Sequence, residues 1–434
     1  MIAFDEYSGQ RRRVLWLSTV AFTLLFNVWL MMGVLGISIR KDLGLSDSQL
    51  EWLIASAILS GALLRLNFGI WADAYGGRRV MGLLLLGAAI PTYLFGQATS
   101  YTQLLICAIL FGIAGNSFSA GVAWNSAWFP QNLKGRALGI FGSGNVGAAG
   151  TKLLIVFAPG VLTAVPVAGY FAGIIPGGWR FIPTVYAALL VLMGLAIFYF
   201  CPKPDRMPGR GRPMRETLLP LRHKRVWRFG LYYVVVFGAY VALSAWLPKF
   251  YMDTYGISIS AAALLTATFI LPAGLLRPLG GYLSDRFGPR AVTYAVFTIM
   301  TVTLIVLSLP GHWLGLGSFV SLMFVLACAM GIGKASVYKY IPDYFPKDVG
   351  AVGGVVGMLG ALGGFFLPPI FGALGRLTGS PQLAFLALLA LTIWSLAWLH
   401  LAVARMRIPL PKGDGDPKGR VRGAELIPSG QRYS

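Results

Sequence analysis

The chain is poor in the residues that most catalytic and metal chemistry draws on. Of 434 residues, three are cysteine, three histidine and 15 acidic, against 36 lysines and arginines. Cys107, Cys201 and Cys328 all fall in or at the end of apolar runs, so no structural disulfide is expected and the redox compartment is left open. His223, His312 and His400 are scattered over a basic loop, a short outer turn and a helix end, without metal-ligand spacing or a nucleophile–base set. An enzyme, a metal centre or a bound cofactor is therefore not expected. Asp5, Glu6, Asp42, Asp47, Glu51, Asp253 and Asp343 lie at the ends of apolar runs or between them. That lack of buried carboxylates argues against the acidic proton relay common in sugar and drug carriers.

What is abundant is apolar. The sequence is 56% hydrophobic with a mean hydropathy of +0.70, and runs of 18 or more apolar residues recur, each long enough to cross a hydrocarbon core of about 30 Å. Between Gly, Pro and charged punctuation the runs predict an all-α polytopic membrane protein with twelve spans. They are 14–36, 50–71, 79–98, 102–128, 134–158 and 180–201, then 227–252, 260–283, 290–309, 314–342, 348–375 and 381–405. No cleavable signal peptide is evident, since Arg11, Arg12 and Arg13 lead straight into the first span. The net charge of +21 sits in alternate loops rather than on an amphipathic face. The positive-inside rule explains this better than nucleic-acid binding, and it predicts cytoplasmic termini in a cytoplasmic membrane. The expected organisation is a six-helix bundle (1–201), a basic Pro/Gly-rich linker (202–226), a second bundle (227–405) and a disordered tail (406–434).

The halves repeat each other. SGALLRLNFGIWADAYGGRR places Arg65 eight residues before Asp73, and LPAGLLRPLGGYLSDRFGPR places Arg277 eight residues before Asp285. Eight residues at 1.5 Å each put either arginine about 12 Å inside its helix, too deep to snorkel comfortably. WFPQNLKGRALG (from Trp128) likewise parallels YFPKDVGAVGG (from Tyr344), and Gly144 and Gly147 fall on Gly360 and Gly363. Two buried cations at one depth, one from each half, point to a site for a small anion. A parallel six-plus-six repeat is the layout of transporters that rock two bundles around a midplane site.

Gly69, Asp73 and Gly76 recur as Gly281, Asp285 and Gly288, the Arg78–Arg79 pair is answered by the single Arg290, and Arg286 follows the second aspartate. By this motif the chain resembles the major facilitator superfamily along nearly its whole length, and the motif is expected to be structural or gating. Spans five and eleven are glycine-rich, and Gly142, Gly144, Gly147, Gly357, Gly360 and Gly363 read as close helix contacts. Asn145 within SGNVG either donates to an anion or ties two helices together.

The resemblance narrows to the nitrate/nitrite porter (NarK-type) family on Arg65, Arg277 and Gly144-Asn145-Val146-Gly147. Asn116-Ser117-Phe118 before Trp128-Phe129-Pro130, and Tyr233 to Gly238, add to it. It implies that Arg65 and Arg277 clamp the anion while Phe118, Tyr233 and Phe237 sandwich it; without the likeness those aromatics would read as ordinary core. Two features depart from the family pattern. Ser117 separates Asn116 from Phe118, and the tenth span, GIGKASVYKYIPDYFP, carries Lys334 and Lys339 in place of a Gly-Asn-Gly-Ser stretch and an arginine. The latter resembles the subgroup that couples nitrate to protons. Aligned on the Phe-Pro ends, Lys334 is the twofold mate of Phe118, Lys152 is a further intramembrane cation, and Lys339 is expected to snorkel.

The implied function is import of nitrate by proton symport for nitrate assimilation, by a monomer in the lipid bilayer without cofactor. The alternatives are nitrate/nitrite antiport or nitrite export on the same scaffold. More distant ones are an organic-anion carrier or an anion receptor. Guanidinium suits nitrate because its planar fork matches a planar oxyanion and stays charged. Importing one negative charge against an inside-negative potential costs about 2.3 kcal/mol per 100 mV, so uptake needs co-moving protons or an outgoing anion. Lys334, with Lys152 and Lys339 as further candidates, is the expected proton-coupling group, since burial beside other cations favours the neutral amine.

Overall fold

In a computed structural model, residues 8–407 are described apart from 163–164, 167 and 310–313. His312 and the tail beyond Arg407 lie outside the described residues. Among the described residues twelve helices are long and apolar enough to cross a membrane: α1 Ser8–Leu43, α2 Asp47–Tyr75, α3 Gly77–Gln97, α4 Tyr101–Trp128, α5 Lys134–Phe157, α6 Gly178–Phe200, α7 Lys224–Tyr255, α8 Ile259–Phe287, α9 Pro289–Leu307, α10 Leu316–Tyr344, α11 Val349–Thr378 and α12 Pro381–Arg405. They coincide with the expected spans, several being longer. The linker is shorter than expected, because Lys224–Val226 already belong to α7. It is also ordered, with a short helix at Met214–Leu218. Asp205 fastens it by accepting hydrogen bonds from the indoles of Trp124 (3.1 Å) and Trp128 (2.9 Å) and from the Arg78 amide (2.8 Å).

The basic loops gather at one end of the bundle, and there the two halves are locked by a symmetric pair of contacts. Asp73 at the end of α2 accepts from the Gly350 amide at the start of α11 (3.0 Å), and Asp285 of α8 accepts from the Arg136 amide at the start of α5 (3.0 Å). A carboxylate at a helix N-terminus meets amides that have no partner within their own helix. Glycine makes the approach possible: a Cβ on Gly69 would lie 2.2 Å from the Gly350 carbonyl oxygen, and one on Gly281 would lie 2.4 Å from that of Gly135. Gly76 and Gly288, at φ +90° and +79°, turn the chain into α3 and α9 in a region that disfavours other residues. The motif arginines pack locally. Arg78 donates to the Phe198 carbonyl (2.5 Å), Arg286 to the Tyr282 hydroxyl (3.3 Å) and Arg290 to the Tyr344 hydroxyl (2.5 Å), while Arg79 is exposed. Arg212 of the linker adds an ion pair to Asp348 (2.8 Å), so the strap fixed to the first half at Asp205 reaches the second.

Candidate functional site

Of the helices that meet at mid-depth, α2, α4, α5, α7 and α8 lose regular α geometry there, whereas α10 and α11 run through it unbroken. α2 breaks at Leu64 (φ −88°, ψ 2°) and α8 at Leu276 (φ −83°, ψ 0°), each immediately before its arginine. α4 tightens to a 3₁₀ turn at Ile113–Asn116, just ahead of Phe118, and α5 does so over Ser143–Ala149. α7 widens to a π turn at Val234–Gly238, which contains Phe237. Such departures redirect side chains and recur at functional positions in helices.

Arg65 (0% exposed) and Arg277 (1%) both point into the bundle, against the same aromatic ring. Their guanidinium carbons lie 5.8 Å and 4.9 Å from the centroid of Phe118. Arg65 also lies over Trp29 (5.2 Å) and Phe237 (5.0 Å), and it donates to the carbonyls of Gly61 (3.0 Å) and Gly357 (3.3 Å), the latter from the other half. Its Nη2, and Nε of Arg277, are buried without a hydrogen-bond partner. The rings of Phe118, Tyr233 and Phe237 run nearly parallel, Tyr233 and Phe237 each 6.2 Å from Phe118 and 4.8 Å from each other. Tyr338 closes this wall edge-on to Phe118 (4.8 Å) and Tyr233 (4.6 Å), its hydroxyl donating to the Gly353 carbonyl (2.8 Å).

Asn145 faces Arg277. With its amide nitrogen donating to the Gly142 carbonyl (3.3 Å), its oxygen accepts from Arg277 Nη1 (3.2 Å), so its side chain holds the arginine. Its backbone carbonyl accepts from the hydroxyl of Tyr240 (2.9 Å), and the ring of Tyr240 lies under the Lys334 ammonium, 3.4 Å from Nζ to centroid. Lys334 is fully buried and its Nζ has no hydrogen-bond partner. Lys334, Tyr240, Asn145 and Arg277 thus form one connected chain. Lys339 stands apart from this group: at 8% exposure it is not reaching for solvent but is paired with Asp285 (3.0 Å) and Asp343 (3.2 Å) beside the basic-end lock. Lys152 lies elsewhere too, its Nζ donating to the Ala148 carbonyl (3.1 Å). Asn116 donates to Ile113 and Ser60 carbonyls and serves the α4 turn. Trp29, Tyr240 and Tyr338 are site residues the sequence did not single out. Only Tyr338 carried a signal, lying one helical turn from Lys334 in an otherwise small-residue segment.

The sequence matches the family model described as Major Facilitator Superfamily over residues 17–265 and 250–430. It is 57% identical to the "Probable nitrate/nitrite antiporter NarK1" of Thermus thermophilus, across 93% of this chain and 94% of that protein. The chain belongs to the nitrate/nitrite porter (NarK-type) family of the major facilitator superfamily. This porter is also 32% identical to the "Nitrite extrusion protein" of Bacillus subtilis (strain 168), covering 84% of the chain and 87% of its relative. Its fold matches the proton:xylose symporter XylE with a TM-score of 0.71 at 14% identity, over 91% and 96% of the two chains. The porter is a multi-pass membrane transport protein and not an enzyme.

Proposed function

We propose that the protein imports nitrate across the cytoplasmic membrane by alternating access, with its basic end, both termini and the linker in the cytoplasm. One observation carries the reading. Arg65 and Arg277, contributed by different halves, are buried against one shared ring, Phe118, with an unpartnered donor on each. Leaving a charged donor buried and unpaired is costly, and a small oxyanion seated between the forks satisfies both. Similarity to a probable nitrate/nitrite antiporter and to a nitrite extrusion protein supports nitrate and nitrite as cargo. The aromatic walls suit a flat ion lacking hydroxyls and offer little to a sugar acid.

Lys334 favours proton coupling: a buried ammonium joined through Tyr240 and Asn145 to Arg277 can report its protonation to the anion-binding fork. The second reading, exchange of nitrate for nitrite, is favoured by the name of the Thermus relative. The test is labelled-nitrate uptake by purified protein in liposomes. Nitrate or nitrite is loaded inside, and a pH gradient is imposed or omitted. Symport predicts acceleration by an acid exterior without internal anion; uptake that ignores the gradient and follows internal nitrite establishes exchange instead. Arg65→Lys and Arg277→Lys should each keep the fold yet lower transport about a hundredfold or more, since a point charge cannot reproduce the fork. Normal transport by either variant ends the clamp assignment.

A further inference from the structure

Lys152 is a buried cation that the two-arginine site does not use. It sits in the last third of α5, seven residues and about 10 Å beyond Asn145 toward the end opposite the basic loops. It is 1% exposed and lines a small cavity with Trp29, Gly33, Ile54, Ile58 and Ser244. Its one hydrogen bond goes to the carbonyl of Ala148, a turn back on its own helix, and uses one of three ammonium donors. No carboxylate lines the cavity. The cavity lies on the seam between the halves: α1, α2 and α5 supply one wall, Ser244 and Ala245 of α7 the other. Trp29 is the partition, one wall of this cavity and at the same time the ring beneath Arg65, 5.2 Å from its guanidinium carbon.

From this placement we propose that Lys152 forms a second, outer subsite for a small monovalent anion, which holds the cargo between the external opening and the arginine pair. The inference rests on the transport reading above. The cavity, about 10 Å³ in the closed arrangement, holds no more than one water-sized sphere. The anion therefore enters it when α1 and α7 part at the outer end, and it is passed around Trp29 as they close. A lone ammonium on a seam, with donors to spare and no counter-ion, attracts an anion entering from that side. It has no comparable role for one arriving from the basic end, where the lock at Asp73 and Asp285 must open first.

The experiment uses the full chain in oriented liposomes, with nitrate and then nitrite as the probe, and reads KM separately for entry from each side. Lys152→Gln should raise the outer-side KM about tenfold or more, the worth of a charge-assisted hydrogen bond, and leave the inner-side KM within about twofold. Lys152→Arg should restore the outer KM. Gly33→Ala keeps the lysine and is sterically mild, since its methyl would sit 3.6 Å from Nζ and 3.8 Å from the Ala245 Cα. By filling the space beside the ammonium it should also raise the outer KM, and it serves where Lys152→Gln fails to fold. The shape of the pH profile should survive all three changes. Unchanged outer KM in Lys152→Gln and in Gly33→Ala overturns the subsite, and so does loss of the pH response at constant KM, which would make Lys152 a proton carrier. If wild type moves neither anion, the functional reading fails and takes the subsite with it. If wild type transports and both variants keep its outer KM, the subsite alone fails.

Discussion

Gly142→Ala isolates the position of one guanidinium from its presence. A Cβ at residue 142 would lie 2.4 Å from Nε, 2.5 Å from Cζ and 2.8 Å from Nη2 of Arg277. Ordinary contact needs about 3.4 Å, so the guanidinium must retreat by about 1 Å. The obstacle is a side-chain end and not backbone, so α5 can stay where it is. Exchanging Gly for Ala in a helix interior even favours the helix, by about 1 kcal/mol. The displaced fork loses its alignment with Asn145, 3.2 Å away, and with any anion it would grip. One charge-assisted hydrogen bond is worth about 1.5–3 kcal/mol, equivalent to a 10- to 100-fold rise in KM. The assay is nitrate counterflow in liposomes, paired with a melting curve of the same preparation. The expected signature is a worse KM with an unchanged or higher Tm, opposite to that of a packing defect. Gly87→Ala in α3 is the control: nothing lies within 4 Å of the methyl it would add, and KM should not move. A wild-type KM in Gly142→Ala would mean that the placement of Arg277 beside α5 has no bearing on binding.

Two further outcomes follow from the same geometry. Lys334→Gln keeps a polar group over the Tyr240 ring but removes the charge, so uptake should lose its response to a pH gradient while nitrate–nitrite exchange persists; a variant that still follows the gradient removes Lys334 from proton coupling. Nitrate at about 100 times its Kd should raise stability by about 2.7 kcal/mol in wild type, read as a rise in Tm against chloride at equal ionic strength. Arg65→Lys and Arg277→Lys should each lose most of that rise, and an equal rise in either variant would place the anion elsewhere.

The architecture was legible because membrane crossing, charge asymmetry and the repeat act on whole segments and survive errors of several residues. The two arginines were legible for a related reason: a cation deep in an apolar run has few reasons to exist, and two at matched offsets have fewer. What the sequence did not reveal is how the helices distort. Leu64 and Leu276 break α2 and α8 without proline or glycine at the break itself, and the π turn at Val234–Gly238 lies in an unremarkable apolar stretch. For α8 the break has a local source, since Pro278 two residues on has no N–H with which to continue the helix; nothing comparable in the local sequence marks Leu64 or the π turn. The same is true of Trp29 and Tyr240: on composition they are core aromatics, and only the fold sets one beneath Arg65 and the other beneath Lys334. Lys339 went the other way, since its partner Asp285 is 54 positions distant in sequence and the pair forms only when α8 and α10 pack.

The electrostatics of the pair explain why the cargo should be both charged and small. The two guanidinium carbons lie within 5.8 Å and 4.9 Å of one centroid, so they are no more than about 11 Å apart, and at an effective dielectric near 20 they repel by about 1.5 kcal/mol or more. Among the described residues no buried carboxylate offsets this at the site; the acidic groups Asp73, Asp285, Asp343 and Asp348 are committed to the lock at the basic end. Repulsion between residues of opposite halves therefore works against closing them. A monovalent anion within about 4 Å of both forks gains about 8 kcal/mol on the same scale before desolvation, which reverses the sign of the interaction across the seam. A neutral ligand cannot do this, and a bulky anion cannot approach both forks without forcing apart Phe118 and the Tyr233–Phe237 pair. On this reading the cargo supplies the counter-charge that lets the two bundles rock past the occluded state, so that the empty carrier and the loaded one differ in the very step that transport requires.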